Sequence, residues 1–428
     1  MRISIDYRSA NAHPGSLSFF LHDDLETHQF ETTLLESGGR PLVRAKDVVT
    51  FSGVPWPIHG DILAAAAVLL FAPWIEQRVH FDFACSANCI ASLSAFRFYR
   101  LREGKYIFIP AVQFTAQEIC GPYSPGNKAV ISYGGGFDST AIALLFPNAP
   151  LACSYDSAAE GERLAEMMRK LGREQNVSCS AMSSSLKELT AGKCRFPCYA
   201  ACMIPALLTL DFFSAGYIMI GADIESSFLC GGKGYRATHL PQYENRWNAL
   251  LRQLGVQTFS PLAGSNQILN AKICADHGFE DSAYCFAGTD GACCHRCAKC
   301  FRKNLAICTA LAGAGGEKYN EQYWERYSGE TIRLALDKPD GWRYTYAFVF
   351  SSERSLPAGV LAAHPFLSQY VGKWSAPLAD SWKRYFVNGI LHVPAELRDD
   401  YARRISSIAD MTSEHETAWI LAYGARLS

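Results

Sequence analysis

Two groups of residues have types and spacing suited to chemistry. The first is the run Ser132, Tyr133, Gly134, Gly135, Gly136, Phe137, Asp138, Ser139 and Thr140. Glycines let backbone N–H groups approach phosphate oxygens, and a helix starting just after them adds a partial positive charge. Ser139 and Thr140, at the expected helix start, cap it and offer hydroxyls to an anion, while Asp138 orients the loop or holds Mg²⁺. The run lacks the lysine of G-x-x-x-x-G-K-[ST] and the spacing of G-x-G-x-x-G, so it fits neither of those phosphate loops. A glycine turn without a ligand is the plain alternative; the trailing Asp-Ser-Thr favours a nucleotide.

The second group is Cys285, Cys294, Cys297 and Cys300, separated by eight, two and two residues. Two successive C-x-x-C steps bring three thiolates together, and the longer loop returns a fourth to close a tetrahedral Zn²⁺ site. Four sulfur ligands leave no open position, so such a metal is structural; an iron–sulfur cluster is the rival. Cys293 and His295 sit beside the ligands and could substitute for one, although the spacing favours them as non-ligating neighbours. The basic residues Lys299, Arg302 and Lys303 are either a solvated face or a contact for phosphate or carboxylate. Cys194, Cys198 and Cys202 recur every four residues, which on a helix is one packing face, with a second metal or a catalytic thiol as the alternative.

These groups need elements to hold them. Residues 129–131 form a short β-branched strand ahead of the glycines, and the apolar stretch 141–145 is a helix stopped at Pro147. A second strand at 151–155 precedes an amphipathic helix with Leu164, Met167, Met168 and Leu171 on one face and Gly172 at its end. Further strands at 177–180 and 217–220 flank a helical region at 199–213. This alternation predicts an α/β domain over 126–312, with a central parallel sheet and helices on both faces. Residues 1–125 read as a mixed α+β accessory domain with strands at 17–21 and 106–110 and a helix at 61–77. The turn formers of 121–127 are the expected linker. Residues 313–428, with five of the eight tryptophans, read as an aromatic-rich, mainly helical region whose aromatics pack in a core.

A chain of 428 residues suggests two or three domains, and 49% hydrophobic against 19% charged residues is a globular balance. A net charge of -1 supplies no global field for nucleic acid or anionic membrane. The longest apolar run, 62–73, is shorter than the roughly 20 residues a bilayer needs and reads as a buried helix. The start of the chain lacks the apolar core of a signal peptide. The expectation is a cytoplasmic protein with reduced thiols, no membrane partner and no large nucleic-acid footprint; a homodimer is compatible with all of this.

The glycine run resembles the S-G-G-x-D-S motif of the PP-loop ATP pyrophosphatase superfamily, whose first serine falls on Gly134 here, with Ser132 two residues earlier. Together with the C-x8-C-x2-C-x2-C spacing, over about residues 129–310, the chain resembles the QueC (7-cyano-7-deazaguanine synthase) family. Phe196-Pro197, the 217–223 segment, Ser260-Pro261-Leu262 and a trailing Arg302 follow in the family's order. The resemblance implies a HUP-type, Rossmann-like domain that cleaves ATP to AMP and pyrophosphate with Mg²⁺. It implies an ATP site made of Ser132, Gly134, Gly135, Gly136, Asp138, Ser139, Thr140, Tyr155 and Gly221, with Asp138, Ser139, Lys193 and Arg195 as catalytic groups. It further implies a structural zinc on the four cysteines and adenylation of a small-molecule carboxylate, 7-carboxy-7-deazaguanine or similar, which ammonia converts to amide and nitrile. Relatives in bacterial antiviral defence operons join the activated group to a protein amine instead. A tRNA-modifying enzyme and an inactive nucleotide-binding scaffold are further readings. The segment 231–239 takes the place of the family's S-G-Y-P-D-C-R loop, keeping Gly-Tyr without the acid.

Overall fold

The computed structural model describes residues 1–10, 13–22, 29–31, 41–75, 77–102, 105–109, 111–175, 177–190, 199–225, 229, 235–240, 244–280, 293–311, 324–337, 343–351, 356, 359–373 and 381–423. The chain forms two compact units: Met1–Ser132 with Asn148–Ile218 and Asn245–Thr258, and Tyr133–Pro147 with Met219–Glu244 and Phe259–Ser428. They interleave along the chain and do not follow the expected segments 1–125, 126–312 and 313–428. Composition and turn residues report local breaks; these units are set by strand pairing and packing between distant segments.

The first unit carries the sheets. Its strands are β1 (Arg2–Ala10), β2 (His13–His22), β3 (Gln29–Glu31), β4 (Pro41–Val43), β5 (Val48–Val54), β6 (Arg78–Ser86), β7 (Tyr99–Arg102), β8 (Lys105–Phe108), β9 (Gln113–Cys120), β10 (Lys128–Ser132), β11 (Leu151–Tyr155), β12 (Cys179–Ser184), β13 (Ala215–Met219) and β14 (Gln257–Phe259). Ten of them form one sheet in the order β14-β13-β10-β11-β12-β5-β2-β1-β6-β9, and β4-β3-β7-β8 form a second. β10, β11 and β12 pair in parallel, as the strand–helix alternation requires. β12 then pairs antiparallel with β5, β5 with β2 and β2 with β1, so the N-terminal strands extend the same sheet and make it mixed. Parallel pairing returns at β1 with β6 and β6 with β9.

Burial follows the strand types. β11 is buried along Leu151, Ala152, Cys153 and Ser154, the near-continuous pattern of a parallel strand, whereas β6 alternates. The apolar run is a helix, Gly60–Phe71, with every residue from Asp61 onward buried. Asp61 survives burial because its carboxylate accepts from the Ser86 backbone, the Ser86 hydroxyl and the Tyr123 backbone. Tyr123 sits in the segment expected as a linker and is itself buried, donating its hydroxyl to the Ala215 carbonyl. That segment is anchored at Tyr123, with Gly121, Pro122, Ser124, Pro125 and Asn127 exposed around it.

The amphipathic helix is Ala158–Lys170, capped by the Ser157 hydroxyl, with Leu164 and Met168 buried and Gly172 at positive φ. The third strand starts two residues later than predicted, since Val177 stands 74% exposed and β12 runs Cys179–Ser184. The helical region breaks into Tyr199–Met203, Ile204–Leu207 and Leu210–Phe213, where Ser214 turns left-handed.

The second unit is mainly helical, and its C-terminal part is aromatic in the core as expected. Trp324, Trp382 and Trp419 are buried; Trp342 and Trp374 lie outside the described residues. Phe301 packs edge to face against Trp324 and Tyr327, and Trp419 meets Tyr344 and Tyr423. This region closes on earlier residues of the unit: Tyr385 and Tyr401 both donate to the Pro261 carbonyl, and Phe146 stacks on Tyr401 at 5.6 Å. Among the described residues no helix is long and apolar enough to cross a membrane.

Candidate phosphate loop and metal centre

The glycine loop folds as the sequence suggests, at the start of the helix Phe137–Leu145. Gly135 has φ +68°, a conformation that a side chain disfavours. Ser139 ties the loop together: its Oγ accepts from the Gly134 N–H at 3.2 Å and donates to the Gly136 carbonyl at 3.2 Å. Gly136 is the N-cap and no side chain caps the helix, so the first-turn amides keep the anion-binding character of a helix N-terminus. Thr140 is fully buried, with its hydroxyl 3.3 Å from that of Tyr133, which makes it a support of the loop.

Three distant segments converge on this turn. Asn270, on the helix Gln267–Asp276, donates to Asp138 Oδ1 at 3.1 Å and fixes the carboxylate. Gly221 passes so close that a Cβ there would lie 2.9 Å from Asp138 Cβ and 3.2 Å from the Ser139 nitrogen. Lys303, on the helix Ala298–Ala310, is only 4% exposed. Its ammonium lies 3.3 Å from where a Cβ on Gly136 would stand and 5.1 Å from the centre of the Phe137 ring. Among the described residues it has no ion-pair partner. A buried ammonium at the mouth of a glycine loop is a ready partner for an anion.

Behind the loop lies a buried polar network. Gln267 donates to Asp223 Oδ2 at 3.0 Å and accepts from Arg302 Nε at 3.1 Å. Glu225, 1% exposed, accepts from the Thr345 hydroxyl and from the Gln267 backbone at 3.5 Å. Burial, and then the nearby Asp223, push its carboxyl well above the usual range. Of the basic run, then, Arg302 and Lys303 turn inward.

Cys294, Cys297 and Cys300 bring their sulfurs within 4.8 Å of one another, and Cys294 and Cys300 stand 3.8 Å apart. A tetrahedral zinc with Zn–S near 2.3 Å has edges of about 3.8 Å, so this donor set fits the ion. Cys297 is the N-cap of the Ala298–Ala310 helix and Cys300 lies in its first turn. His295 takes φ 49° between the first two cysteines, and Cys293 is half-buried. The phenol of Tyr327, accepting from Asn304 at 2.6 Å, is pushed up by burial and then by the neighbouring cysteines. Cys285 lies outside the described residues.

The remaining predicted residues divide. Lys193, Arg195, Cys194 and Cys198 lie outside the described residues. Ser132 and Tyr155 belong to the first unit, whereas Gly134 to Thr140 and Gly221 belong to the second. The Ser132 hydroxyl donates to the Cys202 carbonyl at 2.9 Å, and Tyr155 packs over Gly161. Sequence reasoning missed Asn270, Asp223 and Glu225; the only trace of them was two acids directly after the 217–220 strand.

Residues 246–424 match a family of unknown function, DUF6395. The matched stretch takes in the cysteine cluster, Asn270 and Lys303 and leaves the glycine loop outside it. Neither the curated proteins nor the solved structures gave a match.

Proposed function

We propose that this protein is an ATP-dependent, QueC-like ligase of HUP-type fold that adenylates a small-molecule carboxylate and joins it to a nitrogen nucleophile. The observation that carries the reading is the Lys303 ammonium beside Gly136, at the start of an uncapped helix. The loop lacks a lysine of its own, and Lys303 supplies that charge from another helix. Loop amides and Lys303 hold the departing pyrophosphate. Asp138, oriented by Asn270, is the residue to hold Mg²⁺, which when bound supplies further neutralisation of phosphate charge. Cys294, Cys297 and Cys300, with Cys285 as the fourth ligand, hold a structural Zn²⁺.

In the first half-reaction a carboxylate oxygen attacks the α-phosphorus of ATP, the bond to the bridging oxygen breaks, and pyrophosphate leaves. In the second a nitrogen adds to the acyl carbon, the bond to AMP breaks, and the nitrogen gives up a proton. The protein's part is positioning and charge neutralisation. A thiol-rich metal site suits a reducing compartment, so the cytoplasm is the proposed location.

The test is ATP–pyrophosphate exchange dependent on 7-carboxy-7-deazaguanine, followed by AMP release with ammonia. Lys303→Met is expected to lower exchange by about 10- to 100-fold, the worth of one charge-assisted contact. ATP binding without AMP formation for any carboxylate would leave a nucleotide-binding scaffold and sink the ligase reading.

A further inference from the structure

The second unit holds a histidine pair that the ligase reading does not use. His392 ends the turn Val387–His392 and is 8% exposed; His239 is exposed. The Nδ1 of His392 lies 3.1 Å from the Thr238 hydroxyl oxygen. Its Nε2 faces two groups, the Tyr235 hydroxyl at 2.5 Å and Nδ1 of His239 at 3.5 Å. The two imidazoles meet edge to face with centroids 4.7 Å apart, and Phe386 packs edge-on against Tyr235. Burial, and then His239, hold His392 down to about 3, and burial, then the Arg398 guanidinium, lower His239.

We propose that Nδ1 of His239 and Nε2 of His392 form a second metal-binding site, for a divalent ion of the imidazole-preferring class: Zn²⁺, Ni²⁺, Cu²⁺ or Co²⁺. Two imidazole nitrogens bound about 2.0–2.1 Å from a tetrahedral ion stand about 3.3–3.4 Å apart, and the pair here needs a shift of only tenths of an ångström. The Thr238 contact occupies the other ring nitrogen of His392, the outer hydrogen bond that orients a ligating histidine. The Tyr235 hydroxyl and Nε2 share a hydrogen bond in the metal-free protein, so an entering ion exchanges that hydrogen bond for a coordinate one. Exposed His239 gives the ion a path from solvent, and water fills the positions the protein leaves. Arg398 faces the pair but is drawn to the Leu391 and Val393 carbonyls, and its charge limits affinity without blocking the site. Tyr385, a further titratable group beside Tyr235, is buried and held neutral. The site is separate from the cysteine cluster and independent of the ligase reading.

The experiment titrates Co²⁺ into the full chain whose cysteine cluster already holds zinc. One further equivalent is expected, with ligand-field bands of nitrogen and oxygen donors and no thiolate charge-transfer band. His239→Asn, at an exposed position, is expected to weaken that equivalent by about tenfold or more while zinc content and Tm stay put. His392→Gln is expected to do the same, with retained zinc as the check that it has folded. No further equivalent at millimolar Co²⁺, or one of unchanged affinity in His239→Asn, overturns the proposal; a proton relay through the same groups would give that result.

Discussion

Lys303 stands one turn beyond Cys300 on the same helix, so the residue that reaches the glycine loop shares that helix with a member of the candidate metal cluster. On the proposed reading, a metal held by these cysteines would fix the start of this helix, and with it the lysine. Stripping the metal with a chelator is therefore expected to weaken ATP binding by about tenfold, one charge-assisted contact's worth, and to lower Tm. Calorimetric titration with ATP before chelation, after it, and after zinc is restored would read this. Unchanged ATP affinity in folded, metal-free protein would uncouple the two sites.

Gly134 holds the place of a serine in the motif it resembles. A Cβ there would meet nothing within 4 Å, and its φ lies outside the left-handed region. Gly134→Ser should fold with a stability change inside about 0.5 kcal/mol, as for an exposed site. Its added hydroxyl is expected to tighten pyrophosphate and ATP binding by a few-fold, the worth of about 1 kcal/mol for one hydrogen bond. Weaker binding in this variant would mean that the loop holds its ligand by another geometry.

Gly221 is the opposite case, since a Cβ would press on Asp138 and the Ser139 nitrogen. Gly221→Ala is expected to cost about 1–3 kcal/mol by overpacking and to move the Asp138 carboxylate off Asn270. Urea unfolding reads the first effect, and loss of Mg²⁺-dependent ATP affinity reads the second. A variant with full stability and affinity would show that the segment gives way, and that Asp138 is not held there.

The legible parts of this chain were those encoded locally. The strand before the glycines, the helix after them, the turn of Gly135 and the C-x-x-C steps each fall within a dozen residues, and each is where the pattern puts it. What was not legible depends on distant segments meeting. Ser183 pairs with Ser52, which makes one sheet of strands that composition assigned to two domains. Asp138, Gly221, Asn270 and Lys303 are brought together only by packing, so nothing in the spacing of Lys303 separated it from Lys299. Residues 121–127 have turn composition and yet are anchored at two points, because Tyr123 is buried and a Cβ on Gly126 would stand 1.8 Å from the Ser214 carbonyl.

Glu225 gives stability a pH dependence whose sign follows from its surroundings. Its folded carboxyl titrates well above the ordinary 4.5 because burial, and then Asp223, disfavour the charge. The folded protein therefore holds a proton that the unfolded chain releases. The contribution is fully present below about pH 4.5 and is lost as pH rises toward the folded value, at up to about 1.4 kcal/mol per pH unit. Glu225→Gln keeps an oxygen for Thr345 but cannot ionise. Its new amide hydrogens are buried and lower overall stability, so the slope and not the absolute value is the readout. Urea unfolding at a series of pH values from 5 to 8 should give the wild type a steeper decline than Glu225→Gln. Parallel curves would show that Glu225 ionises freely in the folded protein, with water reaching the network that joins it to Gln267 and Arg302.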